Sequence, residues 1–138
     1  MSSIIKSLHV AILVSDLARA QRFYGDVLQL PIAARSLSFP GLWFQVGDFQ
    51  LHLMELETWQ APCPRPEKWG RNPHVAFQVT ELAPIKQRLL AHNSSVQMST
   101  SGRAALFTQD PDGNIIELSQ IAPSPEAVTT AHNASGRN

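Results

Sequence analysis

Cysteine is nearly absent from this chain: Cys63 is the only one in 138 residues. A lone cysteine closes no disulfide within the chain, which excludes a secreted disulfide scaffold and a cysteine-rich zinc module and suits the reducing cytoplasm. An excess of one charge is missing too. Eleven Lys and Arg face eleven Asp and Glu, for a net charge of zero. Nucleic-acid binders draw their affinity from a basic excess, so a nucleic-acid partner is not expected. Long apolar runs are lacking: stretches such as Val10–Val14 fall far short of the roughly 20 residues that span a bilayer. Residues Met1–Lys6 have none of the parts of an export signal. A soluble cytoplasmic protein with no membrane partner is expected. What is present, 43% hydrophobic and 16% charged residues, is the composition of one globular domain.

The chain repeats itself. Leu8–Ala18 reads LHVAILVSDLA and Pro73–Ala83 reads PHVAFQVTELA, 65 positions apart, with six of eleven residues identical. Ser15 for Thr80 and Asp16 for Glu81 are swaps of kind. The same offset carries Phe49–Leu53 onto Asn114–Leu118 without a gap, placing His52 on Glu117. Repeats of this kind signal a supersecondary unit used twice.

Each copy reads as strand, helix and three strands. His9–Val14 is apolar and β-branched, Asp16 is a helix cap, and Ala20, Phe23, Tyr24, Val27 and Leu28 recur at helical spacing within Ala18–Leu30. Strands follow around Ala33–Ser38, Leu42–Val46 and Gln50–Glu55. The second copy has a strand at His74–Val79 and a helix at Leu82–His92 with Pro84 in its first turn. Its strands are Val96–Thr100, Ala104–Gln109 and Ile115–Gln120. The fold class is α+β, two βαβββ modules over residues 4–59 and 73–122 of one domain spanning 4–122. A connector, 60–72, is dense in proline, cannot join a sheet or a helix interior and is semi-rigid. The small and polar segment 123–138 is expected to be a flexible tail.

Side chains alternate across a strand. His9 shares a face with Ala11 and Leu13, His74 with Ala76 and Gln78, His52 with Gln50 and Met54, and Glu117 with Ile115 and Ser119. A two-fold relation between modules would bring His9 and His52 of one unit to His74 and Glu117 of another. Three imidazoles and a carboxylate suit a divalent transition ion (zinc, iron, nickel, cobalt or manganese) rather than calcium or magnesium. His92 and His132 have no repeat partner and read as solvated surface. Glu55 and Glu57 read as exposed strand residues facing away from His52.

The repeated HVAxxVxDL segment, the RFYGDVLQLP after its first copy and the closing LFTQDPDGNIIEL resemble the vicinal oxygen chelate superfamily over about Leu8–Gln120. That superfamily includes glyoxalase I, extradiol dioxygenases, fosfomycin-resistance enzymes and bleomycin-resistance proteins. The resemblance implies paired modules forming a cupped mixed sheet, a homodimer whose sites are often shared between chains, and a small-molecule substrate chelated through two adjacent oxygens. It places His9, His74 and Glu117 at ligand positions, and His52 where glyoxalase I has a glutamate. Glu117 is then the catalytic base of a glyoxalase I-like lyase or isomerase. It also implies a pocket wall of Leu42, Phe44, Arg103 and Phe107, with Leu42 and Phe107 as repeat mates and Arg103 as the cation for an anionic substrate group.

The family's other activities leave two alternatives. An iron(II) extradiol-type dioxygenase would use two histidines and one glutamate, with Tyr24 the sole tyrosine for acid-base work, although its helical position reads as core. A drug-binding or metabolite-binding protein of the bleomycin-resistance kind would need no catalysis. Fosfomycin-resistance enzymes carry a threonine two residues past the first histidine, where Ala11 stands.

Overall fold

In the computed structural model, which describes residues 2–122, each half of the repeat folds into its own small mixed sheet. The segment 123–138, including His132, lies outside the described residues. Strand β1 (His9–Val14) leads into helix α1 (Leu17–Gln21), a π-helical turn (Arg22–Val27), β2 (Gly41–Val46) and β3 (Phe49–Glu55). The second half runs β4 (His74–Val79), α2 (Leu82–Ala91), β5 (Val96–Met98), β6 (Ala105–Gln109) and β7 (Ile115–Gln120). The sheet orders are β1-β3-β2 and β4-β7-β6-β5. The architecture is α+β, as the repeat implied.

The parallel pairs repeat to the residue. His9 lies opposite Gln50 and Ala11 opposite His52, while His74 lies opposite Ile115 and Ala76 opposite Glu117. Asp16 caps α1 by accepting the Arg19 N–H at 2.8 Å, which satisfies one of the donors a helix start leaves open. Ala20, Phe23, Tyr24, Val27 and Leu28 are buried, as their spacing predicted. Withdrawing each of the large ones from water contributes about 2 kcal/mol. Gly25, a poor helix former in the middle of this stretch, weakens the regular α-helix, and Leu28 N–H reaches the Phe23 carbonyl across a wider π turn. Helix α2 has its first N–H capped from β7, by Oε1 of Gln120 at 2.9 Å.

The strand expected over Ala33–Ser38 does not form. Only its start pairs, as a bridge between Ile32 and Phe44, with Gln45 N–H on the Pro31 carbonyl and Ala33 N–H on that of Trp43, both at 2.8 Å. Pro31 has no N–H for a ladder, and beyond the bridge the chain loops so that Arg35 lies over the rings of Phe39 and Trp43. The first sheet therefore has three strands and the second four.

One core joins the halves: Val14, Tyr24, Phe44 and Leu51 belong to the same buried cluster as Leu89, Leu106 and Ile116. The Asp110–Asn114 turn stitches across it. Asp110 accepts the Tyr24 hydroxyl at 2.7 Å and the N–H groups of Asp112 and Asn114 at 2.9 Å. Asp112 accepts Ser15 N–H at 2.8 Å, the Ser15 hydroxyl, and Arg19 Nη2 at 3.0 Å. Asn114 donates to the Leu13 carbonyl at 2.8 Å. No helix among the described residues is long and apolar enough to cross a membrane.

Candidate metal centre

His74 opens β4 and Glu117 sits mid-β7, two residues beyond Ile115, the residue directly opposite His74 in the parallel register. Their side chains meet, with His74 Nε2 3.2 Å from Glu117 Oε2. The other ring nitrogen, Nδ1, lies 2.7 Å from the Asn72 carbonyl. A carbonyl only accepts, so Nδ1 carries the proton, and a neutral ring then aims the Nε2 lone pair at the carboxylate. Two lone-pair donors face each other stably only across a cation, either a proton or a metal ion. Bonds of about 2.1 Å to one ion put neighbouring N and O ligands about 3.0–3.4 Å apart, so the spacing fits. The Asn72 carbonyl is the outer partner that metal-ligating histidines usually have. Asn72 is itself buried and is pinned by its side chain to both the N–H and the carbonyl of Arg65.

Arg103 Nη2 lies 3.0 Å from Glu117 Oε1, so it holds the carboxylate instead of standing free. Phe107 meets the His74 ring edge-on, with centroids 5.6 Å apart. Gly70 makes room for it: a Cβ there would stand 2.6 Å from the Phe107 ring.

The first half presents a different pair. His9 and His52 stack, with centroids 4.1 Å apart and planes 13° from parallel, and Trp43 stacks on His52, also at 4.1 Å. His52 Nε2 lies 2.9 Å from Gln50 Oε1, and Gln50 is held by Gln45. An amide oxygen only accepts, so Nε2 carries the proton and, in the neutral ring, Nδ1 keeps the free lone pair. Burial, then the positive charges of His9 and Arg35, lower the His52 pKa below the ordinary imidazole value. This pair lines a cleft of about 600 Å³.

Within one chain the four residues form these two pairs. Among the described residues no three metal-ligating side chains come together.

Leu42 and Phe44 face the core and not the cleft; Phe44 is fully buried. The wall residue is Trp43, which the sequence reading missed. Trp43 lies opposite His52 and Phe107 opposite Glu117, so Trp43, not Leu42, is the structural mate of Phe107. The reason is the turns: β2 and β3 are joined by two residues, β6 and β7 by five, and the ungapped offset slips by one upstream of them. A stacking indole beside a histidine at the repeat's ligand position was the signal available.

Tyr24 is a buried structural residue bonded to Asp110, not an acid-base group at the site. His92 is exposed and bonds its own helix, and Glu55 accepts the Leu17 N–H at the start of α1.

The family model described as the Glyoxalase/Bleomycin resistance protein/Dioxygenase superfamily matches residues 6–118. The chain is 30% identical over 113 residues to a glutathione transferase FosA of Serratia marcescens, covering 80% of this chain and 77% of that protein. A glyoxalase family protein from Bacillus anthracis superposes with a TM-score of 0.72 at 20% identity, covering 88% of this chain and 99% of its own. A lactoylglutathione lyase from Agrobacterium tumefaciens does so with a TM-score of 0.59 at 23% identity, covering 86% and 94%. At those identities the two structures speak for the fold alone.

Proposed function

Because the chain belongs to the glyoxalase/bleomycin resistance protein/dioxygenase superfamily, we propose that it is a metal-dependent enzyme of glyoxalase I-like type. It acts on a small substrate bound through two adjacent oxygens. The observation that carries this reading is the facing of His74 Nε2 and Glu117 Oε2 at 3.2 Å with Nδ1 committed to the Asn72 carbonyl. His74 and Glu117 of one chain would hold the ion together with His9 and His52 from the first module of a second copy. A homodimer is thereby part of the reading.

When bound, a divalent ion supplies Lewis-acid polarisation of the substrate oxygens. The chain's own residues do the rest. Glu117 is the one carboxylate at the pair, and its Oε2 edge would be the ligand edge until substrate oxygens take its place, and would then take a proton from a substrate carbon and return it. Arg103 occupies the Oε1 edge and fixes which oxygen faces the reaction. Phe107 and Trp43 wall the site and keep water from the proton in transit.

Elemental analysis of purified protein beside His52→Ala, His74→Ala and Glu117→Gln tests the reading. Wild type is expected to hold one transition ion per chain, and His74→Ala and Glu117→Gln to lose it. His52→Ala losing it as well makes His52 the fourth ligand, whereas unchanged content reduces the set to His9, His74 and Glu117. Oxygen uptake with a strict ferrous requirement would replace the lyase by the dioxygenase. Metal-free protein whose ligand binding survives His74→Ala would leave a binding protein.

A further inference from the structure

Arg35 is a cation that the metal reading leaves unused. It lies in the loop that stands in place of the missing strand, its Cζ 4.5 Å from the centre of the Phe39 ring and 5.9 Å from that of Trp43. Nη1–H donates to the Leu37 carbonyl at 3.2 Å. Nε and Nη2 are buried and have no hydrogen-bond partner among the described residues. A guanidinium stays protonated, so buried N–H groups without acceptors are a standing cost that an incoming acceptor would remove.

The two unpartnered nitrogens are neighbours. Nε–H and the adjacent Nη2–H run side by side along one edge of the guanidinium, the fork that receives both oxygens of a carboxylate, phosphonate or phosphate. Leu37 holds the opposite side and fixes the plane. Gly41 lets the β2 backbone pass close against this edge, for a Cβ there would come within 2.9 Å of Nη2. The bracketing rings, Phe39 and Trp43, also line the cleft that contains His9 and His52. Asp48, the carboxylate in that lining, is not among the ion-pair partners found in the described residues.

We propose that Arg35 anchors the oxyanion of a small molecule whose flat or apolar body lies along the Trp43–His52–His9 stack. Phe39, 49% exposed at the rim, is the ring that moves aside to admit it. The site needs no metal ion, so it is tested on chelator-treated protein, where its failure and the failure of the metal reading are separate results.

Phenylphosphonate, benzoate and inorganic phosphate are titrated against wild type, Arg35→Met and Arg35→Lys by calorimetry and NMR. Saturable binding of phenylphosphonate and benzoate is expected, weakened at least about tenfold in Arg35→Met, which keeps an unbranched stem between the rings but has no donors. Arg35→Lys, with charge but no fork, should recover only part. In wild type, the Arg35 Nε–H resonance, identified by its loss in Arg35→Lys, should shift on titration. Wild-type affinity in Arg35→Met, an unmoved Nε–H at saturation, or an absence of saturable binding overturns the proposal. Inorganic phosphate binding as tightly as phenylphosphonate overturns the place given to the apolar body.

Discussion

Tyr24 shows how a residue's chemistry is decided by its surroundings. As the sole tyrosine it was the one phenol available for acid-base work, yet it is buried in the core with its hydroxyl on Asp110. Burial first, then the Asp110 and Asp112 charges, hold its pKa well above the ordinary phenol value. The unfolded chain loses this proton near pH 10 while the native state keeps it. The contribution to stability is therefore complete below about pH 10 and is lost as pH rises through the native value. Urea unfolding at increasing alkalinity should show falling stability with delayed tyrosinate absorbance. Tyr24→Phe should remove that alkaline limb while costing stability at neutral pH through the acceptor left on Asp110. Trp43 carries the second residue-scale prediction. Trp43→Ala strips the cleft wall but touches no proposed ligand atom, so it should weaken substrate binding several-fold, read as a raised KM, with metal content unchanged.

Among the elements, the Asp110–Asn114 turn has a role that the sequence motif did not disclose. Its DPDGN residues were legible as a mark of the superfamily. In space they bind the first half to the second through Ser15, Arg19, Tyr24 and Leu13. Asp112→Ala leaves Ser15 N–H without its acceptor in a part-buried place and should cost about 2–4 kcal/mol. Arg19→Ala, whose side chain is 47% exposed, should cost under about 1 kcal/mol. Denaturant midpoints at constant m-value check both. Local patterns were legible because they are periodic. The His9 and His74 faces and the α1 stripe follow from alternation or from helical spacing. The strand over Ala33–Ser38 was not, because a cation over the rings of Phe39 and Trp43 is a contact of the loop with β2 that no periodicity encodes. The pairing of Trp43 with Phe107 was hidden in the same way, by turns of unequal length that shift an otherwise ungapped repeat.

At the scale of the whole molecule, the repeat made all four ligand candidates legible but not their distribution. One chain holds two half-sets, His9 with His52 and His74 with Glu117, and among the described residues it gathers no larger cluster. A closed two-fold dimer would complete two sites at once, each from the first module of one copy and the second module of the other. His9→Ala and Glu117→Gln should each be inactive alone. In a mixture after subunit exchange, about half the dimers are mixed. Each of those carries one site with both defects and one with none, so activity should return to about a quarter of wild type. Metal content should follow the same proportion. Sites built within single chains would give no recovery, since every site in the mixture would still hold one defect. The recovered activity at a measured fraction of mixed dimers therefore decides where the two half-sets meet.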